Sequence, residues 1–411
     1  MKRQVLARAV AALGVVAAAL VSAAPGGAAG GSLPSRLTGA LRTPFVSFAD
    51  SGALVLDLET GRVVYAHNAG LALRPASNEK LAVTYAALTA LGPAFRIETD
   101  VLGEGVQDGA TWTGNLVLKG YGDPTLSPAG LAALARQVRA DGISTVSGRV
   151  LGDETWFDAH RTAPGWKAQF YINESPPLSA LIVDRGLVGR YTSRNPALSA
   201  AQLFTKALAR AGVHVAEAAS LGTADDEGVG LASIDSPALR SIVHFMDQYS
   251  DNFTAEMLTK ELGAVQLGQG TTAAGLRVVY GQLAQADIPL AGVRMADGSG
   301  LSLLDRQTPT ALVSLLRVMW NDPELQPELV AALPLAGRTG TLHDRMRGTA
   351  AAGVVRAKTG TTDNSTSLSG FVGDRYVFSV IVNGNPVSWL WSRIAEDRFA
   401  TALAASVGPL P

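Results

Sequence analysis

Apolar residues recur at Leu81, Tyr85, Leu88 and Leu91, a three-to-four spacing that puts them on one helix face. Pro75 precedes this segment and Gly92-Pro93 stops it, so the pattern predicts a helix over SNEKLAVTYAALTALG. Upstream, Gly52–His67 shows two short strand-like runs around Glu59-Thr60-Gly61, a hairpin signal. Near the other end, Leu368–Val372 and Tyr376–Val382 predict a second hairpin joined at Gly373-Asp374, followed by a helix over Trp389–Ala405. Helical character also marks Pro237–Tyr249, Phe253–Leu267 and Thr308–Trp320. From about Glu98 to Ala232 the texture changes. Strand runs at Leu116–Lys119 and Val146–Leu151 alternate with turns and two Ala-rich helical segments. Residues 101–232 therefore read as an inserted domain, and 45–100 with 233–406 as one split domain whose antiparallel sheet is built from both ends of the chain.

The first 24 residues stand apart. Lys2 and Arg3 precede an apolar stretch whose uninterrupted part, Ala9–Ala24, is 16 residues long, short of the ~18–20 of a spanning helix. Val21-Ser22-Ala23 has the small residues a signal peptidase needs, so 1–24 reads as a signal peptide and the protein as exported to the periplasm or extracellular envelope. An uncleaved anchor is the alternative. Residues 25–44 read as a flexible linker, and membrane contact as peripheral at most.

The composition, 47% hydrophobic and 17% charged, excludes disorder as the dominant state. A formal net charge of −1 gives no general attraction to nucleic acid. The chain has no Cys, which removes disulfides, Cys-metal sites and a thiol nucleophile. Covalent catalysis must then use Ser, Thr, Lys or a carboxylate. Of 34 basic residues only seven are Lys.

Those lysines locate the candidate chemistry. Lys80 alone has a Ser three residues before it, in Ser77-Asn78-Glu79-Lys80 at the predicted helix start, where i, i+3 spacing brings the amine near the hydroxyl. Ser250-Asp251-Asn252 stands just before the helix FTAEMLTKEL and offers a polar relay; a second Ser-x-Asn at Ser193–Asn195 runs into Pro196 and is set aside. Lys358-Thr359-Gly360-Thr361 follows the strand-like Val354-Val355, where a Gly on an edge strand admits a substrate backbone. The near-copy Arg338-Thr339-Gly340-Thr341 lacks a strand signal and reads as a turn. A lysine amine, unlike a guanidinium, reaches a neutral pKa through burial and a neighbouring cation. Lys80 thus suits a base and Lys358 the neighbouring charge.

Ser-x-x-Lys, Ser-x-Asn and Lys-Thr-Gly in this order resemble the motifs of penicillin-binding proteins and β-lactamases. With 173 positions between Ser77 and Ser250, the chain resembles the D-alanyl-D-alanine carboxypeptidase/endopeptidase family of class C low-molecular-mass penicillin-binding proteins. The resemblance runs over roughly Val46 to Ala400 and includes PASNEK, GYGDPTL, SGRVLGDETWFD, SDNFTAEML, DGSGLS and AKTGT. It implies an α+β, penicillin-binding/β-lactamase-like transpeptidase fold: an antiparallel sheet flanked by helices, with a helical subdomain and a smaller inserted domain. It further implies an acyl-enzyme on Ser77, with Lys80 as base, Ser250 and Lys358 as proton relay, and Asn252 on Lys80 and the substrate. Thr359, Gly360 and Thr361, with Lys358, would hold the substrate carboxylate, and the N–H groups of Ser77 and Thr361 would form an oxyanion hole. The substrate would be peptidoglycan stem peptides, the inhibitors β-lactams, and no cofactor or metal is called for. Leu303 and Thr362 would border the stem-peptide side-chain pocket. A serine β-lactamase and a catalytically idle penicillin-binding cell-wall protein are the alternatives.

Overall fold

A computed structural model describes residues 31–407. The signal-peptide expectation lies outside them. In chain order the described elements begin with α1 (Leu33–Leu41), β1 (Ser51–Asp57), β2 (Val63–His67), α2 (Lys80–Ala90), β3 (Glu98–Asp108), β4 (Thr111–Gly120) and α3 (Pro128–Ala140). Next come β5 (Thr145–Val146), β6 (Val150–Asp153), β7 (Leu187–Val188), β8 (Tyr191–Thr192), α4 (Pro196–Arg210), β9 (His214–Val215), β10 (Ser220–Leu221) and β11 (Val229–Asp235). The chain returns through α5 (Leu239–Tyr249), α6 (Asn252–Leu267), α7 (Thr272–Gln285), α8 (Pro309–Asn321) and α9 (Leu325–Ala332). It ends in β12 (Val355–Thr362), β13 (Ser365–Val372), β14 (Tyr376–Asn383) and α10 (Trp389–Val407).

The two ends of the chain meet in one five-stranded sheet of order β12-β13-β14-β1-β2, antiparallel throughout. Its central strands are buried on both faces: every residue of β1 and β13 is buried, which explains their nearly continuous apolar and small-residue runs. One face packs on α1 and α10 through Leu37, Leu41, Phe399 and Leu403; the other carries α2, α6 and α8. Residues 98–235 build a second, seven-stranded mixed sheet covered by α3 and α4.

Two differences from the sequence reading matter. Leu33–Leu41 is helix, not linker: Leu33, Leu37 and Leu41 recur every four residues, and Leu37 and Leu41 are fully buried against α10. The apolar stripe outweighs the Gly- and Pro-rich approach to it. In addition, α7 and α9 form where no helix was expected.

The 101–232 stretch does not stand clear of the rest, since the described residues from Leu33 onward form one compact unit. Segment 154–185 is clasped to the helices and loops around it. Trp156 Nε1 donates to Glu261 at 2.9 Å, Lys260 pairs with Asp158, Arg185 pairs with Asp251 at 2.7 Å, and Trp166 Nε1 donates to Asp297 at 2.7 Å.

Candidate active site

Three chain segments converge beside β12. The first is the loop before α2. Its carbonyls are tied to the sheet, Pro75 O accepting from Ser367 Oγ at 2.6 Å and Arg74 O from Ser365 Oγ at 2.5 Å. Asn78 Nδ2 donates to Lys358 O at 3.1 Å. Ala76 is held at φ +47°, a strained conformation for a residue with a Cβ, and it sets Ser77 half out of the core. Ser77 sits in a 3-10 turn, Ala76–Glu79, and the α-helix proper starts at Lys80. The expected first-turn geometry is thus tightened, and Lys80 Nζ still lies 3.0 Å from Ser77 Oγ.

The second segment is the sharp junction of α5 and α6. Ser250 ends α5 at φ +58°, and Asp251 caps α6 by accepting from Thr254 N at 2.8 Å. Asn252 is the first residue of α6 rather than a loop residue. The bend turns Ser250 toward Lys358 and Asn252 toward Lys80. The third segment is β12, an edge strand. Its outer edge is covered as far as Ala357, whose N–H donates to Pro334 O at 3.0 Å; beyond that, Thr359 and Thr361 face the cleft.

The residues expected to carry the catalysis and to bind the carboxylate are brought together, whereas the expected pocket-bordering Leu303 and Thr362 are not. Lys80 Nζ contacts Asn252 Oδ1 at 2.8 Å and Ser299 O at 2.6 Å, besides Ser77 Oγ. Both of those oxygens can only accept. A neutral amine therefore directs its two N–H bonds at them and points its lone pair at the Ser77 hydroxyl. Asn252 is oriented for this by its Nδ2, which donates to Glu174 O at 3.1 Å. Lys358 Nζ donates to Ser250 Oγ at 2.8 Å and to Thr359 O at 2.9 Å.

Both lysines are fully buried. Burial lowers Lys80 to about 8, against the opposing pull of carboxylates at Asp297, Asp251 and Glu256. Burial and then the charge of Lys80 lower Lys358 to about 7. Each therefore exchanges a proton near neutral pH, the requirement for general acid–base work.

The cleft is about 500 Å³ and is lined by Ser77, Ser250, Asn252, Thr359 and Thr361 together with Glu174, Leu301, Thr341, Asp344, Arg345 and Arg393. Leu303 and Thr362 are not among its lining residues. Leu303 O instead receives Arg74 Nε at 3.2 Å, and Thr362 O receives Trp389 Nε1 at 2.8 Å.

The sequence reading missed two groups. Thr341, set aside with its turn, accepts from Thr359 Oγ1 at 2.7 Å. The signal was present, since Arg338–Thr341 nearly copies Lys358–Thr361. The other is a buried acidic cage behind Lys80. Glu256 Oε1 accepts from Gly298 N at 3.0 Å and Ser299 N at 2.8 Å, which fixes the Ser299 carbonyl on the lysine. Asp297 accepts from Gly300 N and Ser302 N at 2.7 and 2.8 Å. Burial, then Asp297, raises Glu256 to about 8 and Asp305 to about 12, and the same two causes raise Glu79. The signal for Glu256 was a carboxylate within the helical run Phe253–Leu262, all of it buried.

The fold and this constellation are those of a serine hydrolase, with a lysine amine set against the serine hydroxyl. The family model for D-Ala-D-Ala carboxypeptidase 3 (S13) matches residues 34–195 and 189–404, and the chain belongs to that family of serine-type peptidases. The D-alanyl-D-alanine carboxypeptidase of Actinomadura sp. (strain R39) is 32% identical over 90% of this chain and 84% of its own length. Carboxypeptidase DacB of Mycolicibacterium smegmatis is 32% identical over 90% of this chain and 83% of its own. In three dimensions the chain is similar to penicillin binding protein 4 (dacB) from Haemophilus influenzae, with a TM-score of 0.79 at 20% identity, over 91% of this chain and 99% of that one. This likeness bears out the expected penicillin-binding fold.

Proposed function

We propose that the cleft cleaves the bond between two terminal D-alanines of peptidoglycan stem peptides through an acyl-enzyme on Ser77. The observation that carries this reading is the Lys80 amine, held 3.0 Å from Ser77 Oγ by two oxygens that only accept. Lys80 takes the Ser77 proton as the hydroxyl attacks the carbonyl carbon. The N–H groups of Ser77 and Thr361 receive the developing oxyanion. A Cβ built on Gly360, between them, would lie 2.9 Å from Ser77 N, so β12 and the Ser77 turn are close enough to share one oxygen. Ser250, hydrogen-bonded to Lys358, passes a proton to the departing D-alanine nitrogen, which breaks the C–N bond. Thr361 presents its hydroxyl to the terminal carboxylate, Thr359, tied to Thr341, shapes the strand beside it, and Asn252 holds Lys80. Water then hydrolyses the ester. A β-lactam would acylate the same serine and persist as inhibitor.

Residues 45–100 and 233–406 would form the catalytic domain and 101–232 the insert, in a protein exported to the periplasm or extracellular envelope, where its substrate lies.

The test is D-alanine release from a peptide ending in D-Ala-D-Ala, with Ser77→Ala as control. Release abolished by the substitution is expected; no release by the intact protein overturns the proposal in favour of an idle binder. A fluorescent penicillin should label Ser77 for many minutes, whereas rapid turnover of the label would indicate a β-lactamase. Cross-linked and monomeric muropeptides, followed by mass analysis, divide endopeptidase from carboxypeptidase action. The pH dependence has a definite shape. Protonated Lys80, lowered by burial to about 8, cannot accept a proton. Lys358, lowered to about 7, loses above that value the proton it supplies through Ser250. Acylation should therefore pass through a maximum between about 7 and 8 and fall on either side.

A further inference from the structure

Lys358 is committed to Ser250 and Thr359 O beneath β12, which leaves open what anchors the negative end of the substrate. A second cation faces the same cleft from another element. Arg393, in the second turn of α10, is exposed, and its Nη2 donates to Thr361 Oγ1 at 3.3 Å. The Thr361 hydroxyl thereby keeps its own proton for an incoming acceptor.

Arg393 is also unengaged by acid. Among the described residues no carboxylate lies within ion-pair distance of it. By contrast Arg345, the other guanidinium in the cleft, is held by Glu396 at 2.9 Å and Asp397 at 2.7 Å. Of the cleft acids, Asp344 pairs with Arg347 at 2.6 Å, and Glu174 lies on the wall toward Asn252, to which it offers its backbone carbonyl.

We infer that Arg393 is the specificity residue that receives the terminal carboxylate of the peptide, together with the Thr361 hydroxyl, while Lys358 is left to serve Ser250. A guanidinium is a permanent cation with a planar fork of donors that matches a carboxylate, so it holds the charge whatever the protonation of the catalytic lysines. The inference rests on the proposed cleavage of D-Ala-D-Ala and refines which group recognises its free end.

The test compares an acyl-D-Ala-D-Ala acid with its C-terminal amide, each competing against acylation of Ser77 by a fluorescent penicillin. Competition reads affinity whether or not the peptide is cleaved. In the intact protein the acid should compete better than the amide. Arg393→Gln should weaken the acid by about ten- to a hundredfold, the range of a charge-assisted hydrogen bond, and leave the amide little changed. Arg393→Lys, which keeps the charge, should recover most of the acid's affinity. An acid constant unaltered in Arg393→Gln would overturn the inference. So would equal weakening of acid and amide, or a Lys variant no better than the Gln one. Failure of the underlying reading looks different: the intact protein would then take no penicillin label at Ser77 and release no D-alanine.

Discussion

Two tetrapeptides in this chain, Arg338-Thr339-Gly340-Thr341 and Lys358-Thr359-Gly360-Thr361, share their last three residues and have different lives. Lys358–Thr361 lies within β12, paired residue for residue with Ser369, Leu368, Ser367 and Thr366 of β13. Arg338–Thr341 turns back on itself: Thr339 Oγ1 accepts from Leu335 N at 3.0 Å, and a 3-10 turn follows over Gly340–Leu342. The cations differ as much. Lys358 is fully buried and donates to Ser250, while Arg338 is exposed. The glycines are needed for opposite reasons. Gly360 lets a strand pass close to Ser77, whereas Gly340 takes φ +52° and packs against the Gln248 carbonyl. Yet the two meet, Thr359 hydroxyl to Thr341 hydroxyl, so the turn buttresses the strand. Chemistry here belongs to the residue that is buried and paired, not to the letters of the motif.

Exchanging the cations strikes at this contrast most severely. Lys358→Arg turns the strand motif into the turn's own spelling and should lower acylation by about 10²–10⁴-fold, the span of a lost general acid–base contribution, because a guanidinium does not give up its proton. Stopped-flow penicillin acylation measures it; near-normal rates would show that only charge is needed at this position. Gly360→Ala comes next. Its Cβ would collide with Ser367 Oγ and sit 2.9 Å from Ser77 N, so a roughly 10²-fold loss of acylation is expected, as for one lost oxyanion donor, with the fold retained.

Gly340→Ala should act on stability instead, lowering it by about 1–3 kcal/mol through the strained φ and the contact with Gln248, with a smaller effect on rate. Thermal unfolding beside acylation kinetics separates the two glycines, and an activity loss as large as that of Gly360→Ala would erase the distinction drawn between them. Thr341→Val should have the smallest effect. Removing one side-chain partner costs about 0.5–1.5 kcal/mol, seen as a roughly two- to tenfold fall in acylation efficiency. No change would mean that Thr359 holds its place without the buttress.

Much of the site was legible in the chain. With Cys absent and Lys scarce, the spacing of Ser77 to Lys80 on a strongly periodic helix was enough to single out both residues, because i, i+3 proximity is a local property. The outer hairpins and the helices α5, α6 and α8 were legible for the same reason: their periodicity is written in adjacent residues. What escaped notice depends on contacts distant in sequence. Thr341 matters only through Thr359, and Glu256 only because so much of α6 is enclosed that its carboxylate, with no solvent, turns to the Gly298 and Ser299 amides. Likewise Arg393 reaches Thr361 only because α10 folds back beside β12.

The sequence by itself thus pointed to the kind of catalyst, a serine-type peptidase, and to the pairing of Ser77 with Lys80, since local spacing and composition leave no other pairing of comparable quality. The tertiary structure decided the protonation and direction of that chemistry. It buries Lys80 and Lys358 completely and sets Asn252 and Ser299 to aim the amine. Burial and long-range hydrogen bonds shift a pKa and fix a lone pair, and neither is encoded in neighbouring residues.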